Sequence, residues 1–376
     1  MKPFIYSIIF LLFPNTIFSQ TEELVLRKSF ETDENTILNI DIDNATIQFK
    51  ESNDSKISLN YSIVFKNKSN EQIYKVFKGI DAKVSKDKNV VNLDVKNSMY
   101  LGELHNLDVD MSTFKKLIRG YFKKKREDNF LYKSKDSLLS EIDFSLGPDI
   151  DDFFKRLKQN NPNKDYGESN RKFEQKFIIS IPKNIKIKIK ALHSKITFHY
   201  NIDKPIEVAT FQTYLKFKKI NNAENKFNIV NGIFQSEEII GGSYTLKDLK
   251  KVLIGAISDT ELETETSKIE IGEVGENVVI DDFNSKLYFY NFSNNFNQFK
   301  YKGDYSKISF YSINSSNYSM NVFGYNTALN MKNVKTTFGN SKEKKIFKIL
   351  EKELKKDIIS RGNIDVKLIN GILNIK

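Results

Sequence analysis

"SKIEIGEVGENVVIDDFNSKLYFYNFSNNFNQFKYKGDYSKISFY", residues 267–311, states one short phrase three times. The phrase is Ser-Lys, an aliphatic residue, a polar one, then a second large apolar one: Ser267-Lys268-Ile269-Glu270-Ile271, Ser285-Lys286-Leu287-Tyr288-Phe289 and Ser306-Lys307-Ile308-Ser309-Phe310. Two apolar residues spaced two apart lie on the same face of a pleated strand, with the lysine and the polar residue on the other. Each phrase therefore predicts a short, half-buried strand. Ser194-Lys195-Ile196-Thr197-Phe198 and Ser55-Lys56-Ile57-Ser58-Leu59 match it. Looser copies are Ala45-Thr46-Ile47-Gln48-Phe49, Thr213-Tyr214-Leu215-Lys216-Phe217 and Thr327-Ala328-Leu329-Asn330-Met331.

The first apolar residues of the copies fall at 196 and 215, then at 269, 287, 308 and 329, giving neighbouring spacings of 19, 18, 21 and 21. A loose period of this kind is the mark of a repeat architecture. Between copies lie further short alternations, such as Val278 with Ile280 and Phe299 with Tyr301, reached through Gly, Asn or Asp. Short strands separated by turn residues predict an all-β fold, a repeat β-solenoid or a sandwich-like stack. Three segments break the pattern. Residues 70–79 predict a short helix or turn, and 101–172 an inserted helical or irregular segment. "SKEKKIFKILEKELKKDII", 341–359, places Ile346, Leu350, Leu354 and Ile358 four apart behind a Ser341 cap and predicts a C-terminal helix. A terminal β segment, Ile364–Leu368, is followed by Asn370-Gly371, a two-residue turn signal. The expected organisation is thus a signal peptide over 1–20, a β-repeat region over 21–100, the insertion, a main β-repeat region over 173–340, and a helix with terminal strands over 341–376.

The first residues, "MKPFIYSIIFLLFPNTIFSQ", combine Lys2, an apolar run from Phe4 to Phe13 and a small or polar exit. That is the tripartite pattern of a secretory signal peptide cleaved next to Gln20. The apolar run falls short of the roughly 20 residues of a membrane-spanning helix, and no later segment supplies one. Cysteine is absent, so an exported chain would fold without disulfides, thiolate metal ligands or a lipid-bearing Cys. The ending resembles signal peptides of Gram-negative bacteria with AT-rich genomes, which the Asn, Lys and Ile bias suits, and that resemblance implies export to the periplasm or cell surface. With 59 Lys and Arg against 48 Asp and Glu, a net charge of +11 suits anionic lipid or polysaccharide of the envelope. Nucleic acid is not the expected partner of an exported chain.

"FIISIPKNIKIKIKALHSKITFHY", 177–200, places an alternating strand, a Pro-Lys-Asn turn, a second alternating strand and then the repeat phrase; "LNIDIDNATIQFKESNDSKISLNYSI", 38–63, repeats that layout. Both resemble the bacterial secreted "putative adhesin" family of β-strand repeats, sometimes compared with a toast rack. The resemblance spans about half of the chain after the signal segment. It implies a non-enzymatic, envelope-associated binding or scaffolding module.

Catalytic signatures are not found. His105, His193 and His199 are the only histidines, and the last two, six residues apart on one expected strand, lie too far apart to share a metal. Asp149, Asp151 and Asp152 lack the mid-loop Gly and further oxygens of a calcium loop. They suit a helix N-terminus instead. Glu261, Glu263 and Glu265 share one strand face and are the best case for the alternative, a carbohydrate-active β-helix enzyme. A working acid and base need distinct environments, whereas three equivalent glutamates form a solvated row. An outer-membrane barrel needs strands of about 9–11 residues, longer than these. No cofactor and no metal site is expected. Lys186, Lys188 and Lys190 form an outward row, expected to guard a sheet edge. The densest basic cluster is Lys115, Lys116, Arg119, Lys123, Lys124, Lys125 and Arg126, interleaved with Phe114, Tyr121 and Phe122. It is the candidate anion-binding site. The aromatic residues of 288–325 are expected to point mainly inward.

Overall fold

The computed structural model describes residues 20–66, 80–97, 173–311, 318–331, 336–341, 344–349 and 362–376. Among them every regular element is a β-strand, and all 24 strands join one hydrogen-bonded sheet. That sheet is organised as two ladders. In the first, Ile37–Asp43, Lys186–Leu192 and the leading halves of Ile206–Asn221, Lys226–Ile240 and Ser243–Ser258 stack in parallel. Glu261–Glu265, Val278–Phe283 and Gln298–Asp304 continue the stack. In the second, Ala45–Glu51, Lys195–Phe198, the trailing halves of the three long strands, Lys268–Val274, Lys286–Phe292 and Lys307–Phe310 stack in the same sense. Each rung thus gives one strand to the first ladder, turns a corner and gives the next strand to the second.

The corner has a fixed chemistry. Asn44, His193, Gln212, Asn231, Asp248, Thr266, Asn284, Tyr305, Asn326 and Asn370 all stand at positive φ, between 46 and 57°. This left-handed region is open to Asn and Asp because their short polar side chains bond locally. The residue that follows turns inward, and it is usually Ser or Thr. The Ser267 hydroxyl donates to the Glu265 carbonyl at 2.8 Å and accepts the Leu249 N–H of the preceding rung at 3.0 Å. The Ser267 N–H in turn donates to the Ser285 hydroxyl at 3.0 Å. Ser194 does the same between Leu192 and Ala45. The serine of the repeat phrase is therefore a buried corner group that closes the hydrogen bonds where the ladder bends.

Behind each corner serine, the first apolar residue of the phrase falls into one continuous column. Ile47, Ile196, Leu215, Phe234, Val252, Ile269, Leu287, Ile308, Leu373 and Leu329 follow one another in register. The two ladders face each other across this interior: Phe289 of the second meets Phe299 of the first at 5.0 Å, and Phe217 meets Phe227 at 5.5 Å. Full burial of each such side chain contributes about 1.5–3 kcal/mol. The gap between 215 and 269 contains two rungs whose corner residue is not Ser or Thr. Gly232 occupies one corner, and a bulge beside Lys250 displaces the other.

Antiparallel strands close the stack at its N-terminal end. Val90–Asn97 pairs in parallel with Ile37–Asp43 and carries Ile80–Asp87 on its outer edge, while Phe173–Ile181, Lys56–Lys66 and Gln20–Glu31 extend the second ladder. The Ser55 copy of the phrase belongs to this antiparallel cap. At the other end the order in space departs from the order in sequence. The last strands, Gly362–Ile369 and Ile372–Ile375, insert as a rung between Gln298–Asp304/Lys307–Phe310 and Tyr318–Tyr325/Ala328–Met331. Asn370-Gly371 is accordingly a corner between ladders and does not form the hairpin turn its sequence suggests.

The helix expected over 341–359 is corrected where it is described. Thr336–Ser341 and Lys344–Ile349 form an antiparallel hairpin, and Ile346 and Phe347 pair with Phe323 and Val322 of the outermost first-ladder strand. An open ladder edge and the β-favouring Thr, Ile and Phe of these two hexamers outweigh the four-residue apolar spacing. The remainder of that segment, the helices expected at 70–79 and 101–172, and the signal segment 1–19 lie outside the described residues. Lys186, Lys188 and Lys190 do point outward, but their strand pairs on both sides and guards no edge.

Two substitutions test the facing. Ile308→Asp puts a carboxylate between Leu287 and Leu373 and is expected to cost more than about 3 kcal/mol. Lys307→Asp, pointing to solvent, is expected to leave the melting temperature nearly unchanged. Equal losses would reverse the assignment. Ser267→Ala, which strands the buried Leu249 N–H, is expected to cost about 1–3 kcal/mol in chemical denaturation; an effect below about 0.5 kcal/mol would show that the corner hydroxyl is dispensable.

Candidate functional site

In-register stacking turns each outward position of the repeat into a column along the stack. On the first ladder these columns mix the signs: Lys188 Nζ lies 3.0 Å from Glu207, Lys302 3.2 Å from Asp281 and Lys247 3.6 Å from Glu263, while Glu263 stands across from Asp281 and Lys302 across from Lys367. The second ladder differs. Lys268 pairs with Lys286 and Lys286 with Lys307 in the ladder register, and Lys251, one residue before the Val252–Ile269 pair, extends the column. Four lysines thus stand in line, separated by the strand spacing of about 4.8 Å. Lys268 is neutralised by Glu270 at 2.7 Å, a contact that holds the Glu270 carboxyl below its ordinary value. Lys251, Lys286 and Lys307 make no ion pair among the described residues.

Two columns across the same face stands an aromatic shelf. Tyr290 and Tyr311 stack with ring centroids 4.9 Å apart, and Lys376 Nζ lies 4.5 Å over the Tyr311 ring. Tyr290 is 39% exposed, and its hydroxyl donates to Glu270 at 3.3 Å. Beyond Tyr290 in that column come Gly272 and then Gly255. Both are dictated by backbone packing, since a Cβ at Gly255 would sit 2.3 Å from the Glu237 carbonyl and one at Gly272 2.5 Å from the Gly255 carbonyl. As a result no side chain from the next two rungs stacks on Tyr290. The column between the shelf and the lysines contains Glu270, Tyr288 and the buried Ser309.

The residues singled out from sequence are not gathered into one site. The basic cluster Lys115, Lys116, Arg119 and Lys123–Arg126 lies outside the described residues, as do His105 and the Asp149–Asp152 segment. His193 is a corner residue and not part of a strand; its Nδ1 lies 3.2 Å from Asp43 and its ring stands edge-on to Phe211. Among the described residues no three His, Asp or Glu are placed to hold a metal ion. No helix there is long and apolar enough to cross a membrane. Phe289, Phe292, Phe296, Phe299 and Phe310 are buried as expected, whereas Tyr288, Tyr290 and Tyr311 face outward.

Glu261 and Glu263 are exposed, but Glu265 is largely covered and lies 3.6 Å from Lys247. The nearest buried acid is Asp282, which points into the interior and accepts from the Thr264 and Tyr301 hydroxyls, at 3.0 Å from the latter. Gly303 makes this possible, because a Cβ there would meet the Tyr301 hydroxyl at 2.3 Å. The two carboxyls therefore face different environments, Glu265 on the outer side of its strand and Asp282 in the interior. Desolvation, with Asp282 second, raises the Glu265 pKa above 4.5. A carboxyl raised in the folded state stabilises the fold when protonated and costs stability as the pH climbs through its folded value. Glu265→Gln is expected to raise the melting temperature at neutral pH, with the gain fading as the pH falls to 4.5 and below. A neutral-pH melting temperature that is unchanged or lowered would mean that the Lys247 ion pair outweighs desolvation.

No family profile matches the chain, and no curated protein is similar to it. Among solved structures, one similar chain is described as a "putative cell adhesion protein" from Clostridium sporogenes; it is 11% identical, with 95% of this chain and 99% of that chain covered, at a TM-score of 0.18. A score that low carries no statement about shape or role. What agrees with the expected β-repeat family is the coarse kind of fold: all-β, built from repeated strands.

Proposed function

We propose that the protein is an exported, non-enzymatic β-solenoid that binds or scaffolds at the envelope of a Gram-negative bacterium, in the manner of an adhesin. The observation that carries this reading is the outward face of the second ladder. Its side chains are held in fixed columns by a continuous backbone ladder, which makes an extended contact surface of regular pitch. The tripartite N-terminus supports export, and the absence of cysteine is compatible with a fold that rests on backbone pairing and burial alone.

The reading is tested by fractionating cells that express the full chain. The expected result is recovery in the periplasm or on the surface, with processing beside Gln20 seen by mass spectrometry and no reducing ends released from acidic or neutral polysaccharides. An intact chain retained in the cytoplasm would refute export. Turnover that survives further purification and is lost on Glu265→Gln would favour the enzyme.

A further inference from the structure

We infer that the lysine column and tyrosine shelf of the second ladder form a binding track for a linear acidic polysaccharide, one that carries carboxylates along its chain. The inference deepens the binding reading above by naming its ligand class. Charge for solubility does not call for register. Like charges placed directly across neighbouring strands destabilise a sheet, and opposite ones stabilise it. The first ladder follows that rule at Lys188–Glu207 and Lys302–Asp281 and departs from it at single pairs, Glu263–Asp281 and Lys302–Lys367. The second sets Lys251, Lys268, Lys286 and Lys307 in four consecutive rungs against it; Glu270 pairs with Lys268 and also feels Lys251, which leaves Lys286 and Lys307 without a carboxylate partner.

The geometry of the track selects among polyanions. Its lysine column is one residue wide and four rungs long, with Lys376 two columns away over Tyr311, closer to a line than to the broad array that a lipid surface would engage. Its repeat of about 4.8 Å is close to the length of one pyranose ring in an extended chain. Phosphates of an extended nucleic acid strand lie farther apart than one rung. Beside the line, Tyr290 stands next to two glycine positions, so the rungs on that side put no side chain against it. A sugar ring presents C–H groups to an aromatic ring while its acidic substituent reaches a flexible ammonium. Aromatic and basic groups in separate, parallel columns suit a ligand whose apolar faces and charges also alternate along one axis.

The test is affinity electrophoresis of the full chain in gels containing polygalacturonate. Dextran, a single-stranded DNA oligonucleotide and phosphatidylglycerol vesicles serve as the other arms. Polygalacturonate is expected to retard the protein and dextran not, with retardation falling as salt screens the charges over about 8 Å at physiological strength. The variant Lys251→Ser/Lys286→Ser/Lys307→Ser is expected to lose at least about tenfold in affinity. Lys188→Ser/Lys226→Ser on the first ladder should change it by no more than about twofold. Tyr290→Ala is expected to weaken binding with the salt dependence unchanged, because it removes no charge. Independently of any variant, carbodiimide coupling of polygalacturonate should give cross-linked peptides containing Lys251, Lys286 or Lys307. Equal binding by the triple variant, cross-links confined to other lysines, or dextran binding as tight as polygalacturonate would overturn the track. Tighter binding to DNA or vesicles, lost in the triple variant, would overturn the polysaccharide assignment. Each of these results leaves the fractionation and turnover tests untouched, so failure of the ligand class and failure of the exported, non-enzymatic reading are separately visible.

Discussion

The left-handed corner is the constraint on which the rest of the structure depends. A strand that runs straight can pair with only one ladder; a residue at positive φ lets the same chain bend and serve two. The bend would leave backbone groups unpaired in a buried place, where each costs about 1–3 kcal/mol. The hydroxyl that follows repairs this by donating within its own rung and accepting from the rung before, as at Ser267 and Ser285. Corner and register are therefore one device. Once a serine hydroxyl must meet the N–H of the adjacent rung, neighbouring strands cannot slide by one residue, and every inward and outward column follows.

Insertion of the last strands shows how strictly register governs the stack. Leu373 enters the apolar column between Ile308 and Leu329, and Asn370 enters the corner row between Tyr305 and Asn326. Side chains outside the interior hold the same alignment. Asn326 donates to Asn370 at 2.9 Å, Asn370 to Asp304 at 3.2 Å, and Asn330 to Asn374 at 3.0 Å. These partners are 44 or 66 residues apart in sequence, so the C-terminal rung is placed by matching a ladder pattern and not by proximity along the chain. The Thr264–Asp282–Tyr301 group plays a comparable part inside the first ladder, joining three consecutive rungs through one buried carboxylate.

Much of this was legible in the sequence, and the limits have physical causes. The alternation in Ile269–Ile271, Leu287–Phe289 and Ile308–Phe310 marked strand facing correctly because a period of two has one interpretation on a pleated sheet. The role of the serine is not legible locally, since it lies in a hydrogen bond to another rung. The residue before the serine does not separate true corners from the false copy: Asp54 precedes Ser55, whereas His193, Thr266 and Tyr305 precede true corners, and only the antiparallel pairing that begins at Lys56 sets the Ser55 copy apart. The hairpin of Thr336–Ser341 and Lys344–Ile349 was hidden because helical spacing is local and the ladder edge it joins is not. Tyr288 is outward as the phrase predicts, but Tyr290 and Tyr311 lie beyond the phrase and their facing is hidden for a related reason. In a segment dense with aromatics, Tyr288 and Tyr290 alternate with Leu287 and Phe289, and only the strand's facing tells the two rows apart.

That facing also explains why the surface of such a fold carries information. In a globular domain, exposed residues far apart in sequence meet in arrangements fixed by many independent contacts. Here one outward position of a repeat becomes a line of side chains with a fixed pitch, so a single substitution repeated along the chain writes a periodic surface. Lysine after serine, kept through Lys268, Lys286 and Lys307, writes a line of positive charge at a spacing that the backbone hydrogen bonds impose. Because that arrangement works against the local electrostatics of the sheet, the apolar column behind it must hold the rungs together. Leu287 and Ile308, fully buried, do so directly beneath Lys286 and Lys307. The interior thus sustains a charge pattern that the exposed face, left to its own energetics, would disperse.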